Sequence, residues 1–135
     1  MDRIIKFEYG FESNNGIVKN VYHLHEIPFL KDKCALFSSL NLKYVREYTG
    51  LKDKNKNPIY EGDICRIDYK PSYYQQSADE GVIVFANGSY KIQYYKLSIG
   101  VSKLVGFSGL SKKSEIIGNI YENKKLLSRY IVNQP

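Results

Sequence analysis

The sequence predicts a mainly β protein, β-rich α+β in class, with a compact core built of hairpins and one short helix at its C-terminal end. Three observations predict it. The aromatic content is carried by 13 Tyr and 6 Phe with no Trp, residues that pack well on pleated, half-buried surfaces. Short apolar-polar alternations recur along the chain, each closed by Gly, Asn, Asp or Pro, which is strand punctuation. Asn-Gly pairs at 15–16 and 87–88 supply the left-handed conformations that tight hairpins need.

Taken in order, residues 4–11 and 17–24 are two extended runs joined by Ser13-Asn14-Asn15-Gly16, a hairpin. His23 and His25 fall on one face of the second strand by the period of two. Two imidazoles could begin a metal site, but a transition metal takes three or four converging ligands, and only Glu26 or the distant Cys34 is at hand. The plainer reading is a solvated pair. Pro28 cannot donate to a ladder, so 27–30 breaks the pattern. Residues 41–48 alternate again as a third strand. Thr49-Gly50 then leads into the polar tip 52–58, Ile59-Tyr60 brings the chain back, and Glu61-Gly62-Asp63 turns it into a strand over 64–69. Glu61 and Asp63 could form a carboxylate pair, but Asp after Gly at a strand entry is ordinary turn chemistry, with the side chain capping backbone N–H groups.

Residues 71–80 are polar and aperiodic, with Tyr73 and Tyr74 adjacent; flat rings with polar tips can stack on bases or fill a partner's pocket. The run Gly81-Val82-Ile83-Val84-Phe85 is apolar at every position and predicts a central strand covered on both faces. Asn87-Gly88 pairs it with a strand over 90–97, in which Tyr90, Ile92 and Tyr94 share one face and Lys91, Gln93 and Tyr95 the other. Lys91, Tyr95 and Lys96 would then form a basic, aromatic strip. One short strand is expected within 98–114 and another over 115–120. Asn123 can cap a helix over 124–132 with Leu126, Leu127, Tyr130 and Ile131 inward and Lys125 and Arg129 outward.

At 135 residues the chain has the size of a single domain, 1–135, with an N-terminal hairpin region to about residue 40 and a core beyond it, able to bury roughly two thirds of its unfolded surface. No signal peptide or membrane-spanning run is visible, which predicts a cytoplasmic protein without a membrane partner. Cys34 and Cys65 have no metal-type spacing and read as free thiols. Charge is uneven: residues 91–135 hold 8 Lys plus Arg against 2 Asp plus Glu, while residues 1–90 balance 12 against 12, so the last third carries the whole +6. Lys112, Lys113, Lys125 and Arg129 belong to this basic third.

Four blocks then accumulate that closely resemble the YopX proteins of bacteriophages and of prophages in Gram-positive bacteria: Glu47-Tyr-Thr-Gly-Leu-Lys-Asp-Lys-Asn55, Ile59-Tyr-Glu-Gly-Asp-Ile64, Gly81-Val-Ile-Val-Phe85 with Asn87-Gly88, and Glu115-Ile-Ile-Gly-Asn-Ile-Tyr-Glu-Asn123. The resemblance spans residues 4 to about 127. It implies a small β-rich protein with a barrel-type, SH3-like core and no assigned enzymatic activity, and it transfers no functional residues. The chain departs from the family pattern in its Tyr-rich loop 71–80, in 98–114, in Lys124 where Pro is usual, and in its basic balance.

For function, the localised charge and the tyrosines predict a non-catalytic nucleic-acid-binding or regulatory accessory protein. The alternative is a protein-interaction module, a homo-oligomer or a modulator of a host or phage protein, anchored by Tyr73 and Tyr74. An enzyme is disfavoured, because no nucleophile elbow, His-x-x-x-His pair or phosphate loop is present. No cofactor is implied.

Overall fold

The computed structural model describes residues 3–30, 40–67, 79–96 and 103–126. It divides between Gly50 and Leu51 into two compact units, each considered by itself.

In the first unit, β1 (Lys6–Ser13) and β2 (Gly16–His23) form the expected hairpin, pairing from Lys6 with His23 to Ser13 with Gly16. β3 (Asn41–Lys52) joins the other side of β1. Residues 24–29 form a short 3₁₀ helix, so the second strand ends at His23, one residue short of the expected run, and His25 leaves the strand face on which the period of two placed it. The pleat sorts β1 as a period of two demands. Phe7, Tyr9 and Phe11 face a small core shared with Val18, Tyr22, Ile27, Leu30 and Leu40. On the opposite face the Tyr44 ring lies over Gly10, and Glu8 and Arg46, directly paired across β1 and β3, are buried. Both oxygens of that carboxylate are engaged: Oε1 accepts from the Tyr44 hydroxyl at 2.9 Å, and Oε2 accepts from Arg46 Nε at 3.2 Å and Nη2 at 2.8 Å. A buried ion pair tolerates desolvation only with this kind of multiple hydrogen bonding.

Past Gly50, β3 ends at Lys52 and turns at Asp53 toward its neighbour β4 (Pro58–Tyr60). The second unit then builds a five-stranded antiparallel sheet from β5 (Asp63–Ile67), β6 (Asp79–Ala86), β7 (Ser89–Lys96), β8 (Lys103–Gly106) and β9 (Ser114–Asn119), in the order β8-β7-β6-β5-β9. Its core is Ile59, Cys65, Ile67, Ile83, Ile92, Tyr94 and Phe107. The Asn87-Gly88 turn joins β6 to β7 with both residues at positive φ, 52° and 83°, the geometry a two-residue primed turn requires. A helix begins at residues 124–126, the start of the one expected there. The molecule is mostly β, as its sequence predicts. Its two sheets are open, and no barrel closes among the described residues.

One expectation about β6 is corrected. It is the middle strand, but Gly81 and Ile83 are buried while Val82 and Val84 on the other face are only half-buried and Phe85 is exposed. A run of apolar residues cannot by itself distinguish a strand covered twice from one covered once. Gly81 has a specific steric duty: a Cβ there would stand 2.6 Å from Ile92 Cγ1 and 2.8 Å from the Gln93 carbonyl oxygen, beside the β6–β7 register shift. Gly81→Ala is therefore expected to lose about 2 kcal/mol in urea unfolding through overpacking. Gly106→Ala, with open space around the added methyl, is the control and should change stability little.

Candidate nucleic-acid interface

β3 ends at Lys52, and the loop that follows is Asp53-Lys54-Asn55-Lys56-Asn57. Five polar residues between strands would ordinarily fray into water. Here the loop is pinned by Asp53, which is only 4% exposed. Its Oδ1 accepts from the backbone N–H of Asn55 and of Asn57, both at 2.9 Å. Its Oδ2 accepts from the N–H of Ile116 in β9 at 3.1 Å. A backbone bond from Lys54 N–H to the Ser114 carbonyl, 2.8 Å, adds a second tie to the same strand. Lys56, at φ 66°, closes the turn with its N–H on the Asp53 carbonyl at 3.0 Å.

Those ties set the loop beside the 3₁₀ turn Ser111–Lys113, because Ser114 follows Lys113 directly. Ser114 is itself fully buried, its hydroxyl donating to the Ser111 carbonyl at 2.6 Å. Five exposed lysines result on adjoining backbone: Lys52, Lys54, Lys56, Lys112 and Lys113. Glu115 offsets part of this charge through a 3.5 Å pair with Lys54, and the Asp53 carboxylate faces inward. With Asp53 and Glu115 counted against them, the five lysines leave these adjoining segments net positive.

The residues singled out from the sequence have separate fates. Lys112 and Lys113 lie in the patch. Lys91 is on the outer face of β7 as expected, but its Nζ is folded back onto the hairpin, donating to the Ala86 carbonyl and Ser89 Oγ at 2.7 Å each. Tyr95 is half-buried and donates its hydroxyl to Glu80 Oε1 at 2.8 Å; Glu80 also faces Arg66 at 4.0 Å. The strip on β7 thus contains a nearby carboxylate and a tethered lysine. Of Lys96 only the backbone is described, paired with Glu80. Lys125 is exposed but follows the Asn119 end of β9, about 17 Å of strand from Ser114. Tyr73, Tyr74 and Arg129 lie outside the described residues.

Lys52, Lys54 and Lys56 were not recognisable as site residues. The signal present in the sequence was lysine at every second position of a loop. What it lacked was any sign that Asp53 would turn inward and reach β9, 63 residues on.

The other constellations resolve as structure. Asp63 Oδ2 accepts from the Tyr60 N–H at 2.8 Å, so it caps the turn around Gly62. His23 ends β2 and His25 sits in the 3₁₀ helix, their rings stacked 5.9 Å apart beside a pocket of about 380 Å³ lined by Arg3, Ile4, Ile5 and Leu24. No group of three or more His, Cys, Asp or Glu converges among the described residues. Cys65 is fully buried, and that burial, reinforced by the carboxylates of Asp63 and Asp53, pushes its thiol well above the usual range. No helix among the described residues is long and apolar enough to cross a membrane.

Two hairpin-built antiparallel sheets, with a lysine surface set by a buried aspartate, define a small β-rich protein. The family profile for "YopX protein" matches residues 8–128, and the chain belongs to the YopX family. The fold is similar to that in the crystal structure of protein EF1440 from Enterococcus faecalis, at 20% identity and a TM-score of 0.51, over 94% of this chain and all of that one. No curated protein matches the sequence.

Proposed function

We propose that this chain is a non-catalytic nucleic-acid-binding accessory protein of a phage or prophage, acting in the bacterial cytoplasm through the patch of Lys52, Lys54, Lys56, Lys112 and Lys113. The observation that supports the reading is the double tie of Asp53 and Lys54 to β9, which brings the backbone that carries Lys54 and Lys56 beside the segment that carries Lys112 and Lys113. Lysines held on a fixed frame displace condensed counterions from phosphates without first ordering a loop. The test is fluorescence anisotropy of labelled nucleic acid across a salt series. The triple variant Lys56→Glu, Lys112→Glu, Lys113→Glu is expected to bind at least tenfold more weakly at low salt. Its slope of log K against log salt should flatten by about 0.9 for each phosphate that the variant no longer neutralises. Lys124→Glu with Lys125→Glu reverses two charges, against three in the triple variant, at the other end of β9 and, compared at about 0.15 M salt where the Debye length is about 8 Å, should leave affinity within about twofold. Equal effects of the two variants would reduce the patch to bulk charge.

A second reading, a protein-interaction module, draws on Leu42 and Val45, 45% and 42% exposed on β3. A partner held there would bind with little dependence on salt.

A further inference from the structure

We infer that the loop Asp53–Asn57 is an edge guard, which holds β9 closed against the addition of a strand from a second copy of this chain. Among the described residues the sheet β8-β7-β6-β5-β9 ends in two edge strands. β8 has four residues, and a short edge is a poor template for pairing. β9 has six and pairs with β5 alone, so its outward backbone groups are the ones a further strand would engage.

Hydrogen bonding alternates along an antiparallel strand, every second residue turning its N–H and C=O away from a given neighbour. Ser114 and Ile116 turn away from β5. Ile117 is then passed over in the register, between Ile116 opposite Cys65 and Gly118 opposite Ile64, and past this bulge the outward position moves to Asn119. At each of the three the chain supplies its own partners. The Ser114 N–H donates to the Ser111 carbonyl, and the Ser114 carbonyl accepts from the Lys54 N–H at 2.8 Å. The Ile116 N–H donates to Asp53 Oδ2 at 3.1 Å. The Asn119 N–H donates to Asn123 Oδ1 at 3.0 Å, and its carbonyl accepts from the Asn123 N–H at 2.9 Å. Consecutive loop residues thus offer β9 one acceptor and one donor, as a neighbouring strand would. The bulge twists the edge further away from pairing.

The occupant that this arrangement turns away is the same edge of another molecule. In an antiparallel pair about a two-fold axis at Glu115, each Ser114 carbonyl accepts from the copy's Ile116 N–H. Those are the two groups that Lys54 and Asp53 hold in the single chain. The pair also sets Glu115 opposite its own copy, and like charges directly opposed disfavour it. Glu115 is therefore a second guard on the same edge, and in the closed state its carboxylate faces Lys54 at 3.5 Å.

Sedimentation velocity of the full chain over a concentration series tests this, with far-UV circular dichroism to establish that each variant is folded. Asp53→Ala is expected to self-associate at least about fivefold more tightly than the wild type, because the edge it uncovers is a template for pairing. Adding Glu115→Gln to Asp53→Ala removes the opposed charges and should tighten association by about a further threefold. Glu115→Gln alone, with the loop in place, should match the wild type. Asp53→Asn keeps one side-chain oxygen and carries the same expectation with a smaller shift, so it replaces Asp53→Ala in both comparisons if that variant does not hold its fold. Folded Asp53 variants that associate no more than the wild type overturn the inference. Association that Ile117→Lys leaves undiminished also overturns it, since a charge placed on β9 would then have no effect on the contact.

Discussion

Arg46→Ala is expected to cost about 3 to 5 kcal/mol of stability, the usual penalty for removing one partner of a buried ion pair. Both side chains are nearly inaccessible, 6% exposed for Arg46 and 7% for Glu8, so water cannot replace the guanidinium. The variant removes two donors from Glu8 Oε2 and leaves the Tyr44 hydroxyl on Oε1. A charge stranded on the sheet face between β1 and β3 loosens their direct pairing at Glu8 and Arg46. Urea unfolding measures the loss. The paired change Glu8→Leu with Arg46→Met separates the two meanings of such a number. It replaces the charges by apolar side chains and should recover most of the stability. A loss below about 1 kcal/mol in Arg46→Ala would mean that the pair is solvated as a surface pair is.

That pair also shows how much of the fold was legible. The hairpin β1–β2, the strand β3, the Asn87-Gly88 hairpin and the last strand β9 were all readable, because turn residues and a period of two are local signals. Glu8 in the run Lys6-Phe7-Glu8-Tyr9 was invisible as a core residue. Alternation marks it as the polar face of a strand, and nothing local says that this face is covered too. The reverse error occurred in β6, where Val82 and Val84 suggested a second covered face and are half-exposed. In both places the missing information was what packs on top, which periodicity does not contain.

The candidate site was legible in half. Lys112 and Lys113 followed from the charge imbalance of the last third. Lys52, Lys54 and Lys56 lie in the electrically balanced part of the chain and join the patch through hydrogen bonds across 60 residues or more of sequence. Tyr95 and Lys91 were assigned to the correct face of β7. Yet the partner that engages the Tyr95 hydroxyl, Glu80, comes from the adjoining strand, and its reach depends on the register shift at Glu80 and Gly81. Composition counts charges and rings; it does not say which are already satisfied.

Asp53 is where stability and the proposed function meet, and Asp53→Ala is expected to impair both. The carboxylate satisfies three backbone N–H groups, those of Asn55, Asn57 and Ile116. Each bond to a charged acceptor is worth about 1.5 to 3 kcal/mol, and bonds sharing one side chain are not additive. A net loss of about 3 kcal/mol is the expectation, with Ile116 N–H in β9 left without this acceptor. The loop also loses the side-chain tie to that strand, so Lys54 and Lys56 must be ordered at the moment of binding, a cost estimated at about 0.5 to 1.5 kcal/mol per side chain. Nucleic-acid affinity should therefore fall by at least about fivefold, the two side chains together costing about 1 to 3 kcal/mol, even under conditions where the variant is fully folded. Asp53→Asn keeps one carbonyl oxygen for either the loop or β9 and is expected to fall between the wild type and Asp53→Ala in both measurements. Urea unfolding and nucleic-acid titration of the two variants settle the coupling. If Asp53→Ala unfolds more easily but binds nucleic acid as the wild type does, the frame serves the fold alone and the lysines need no ordering.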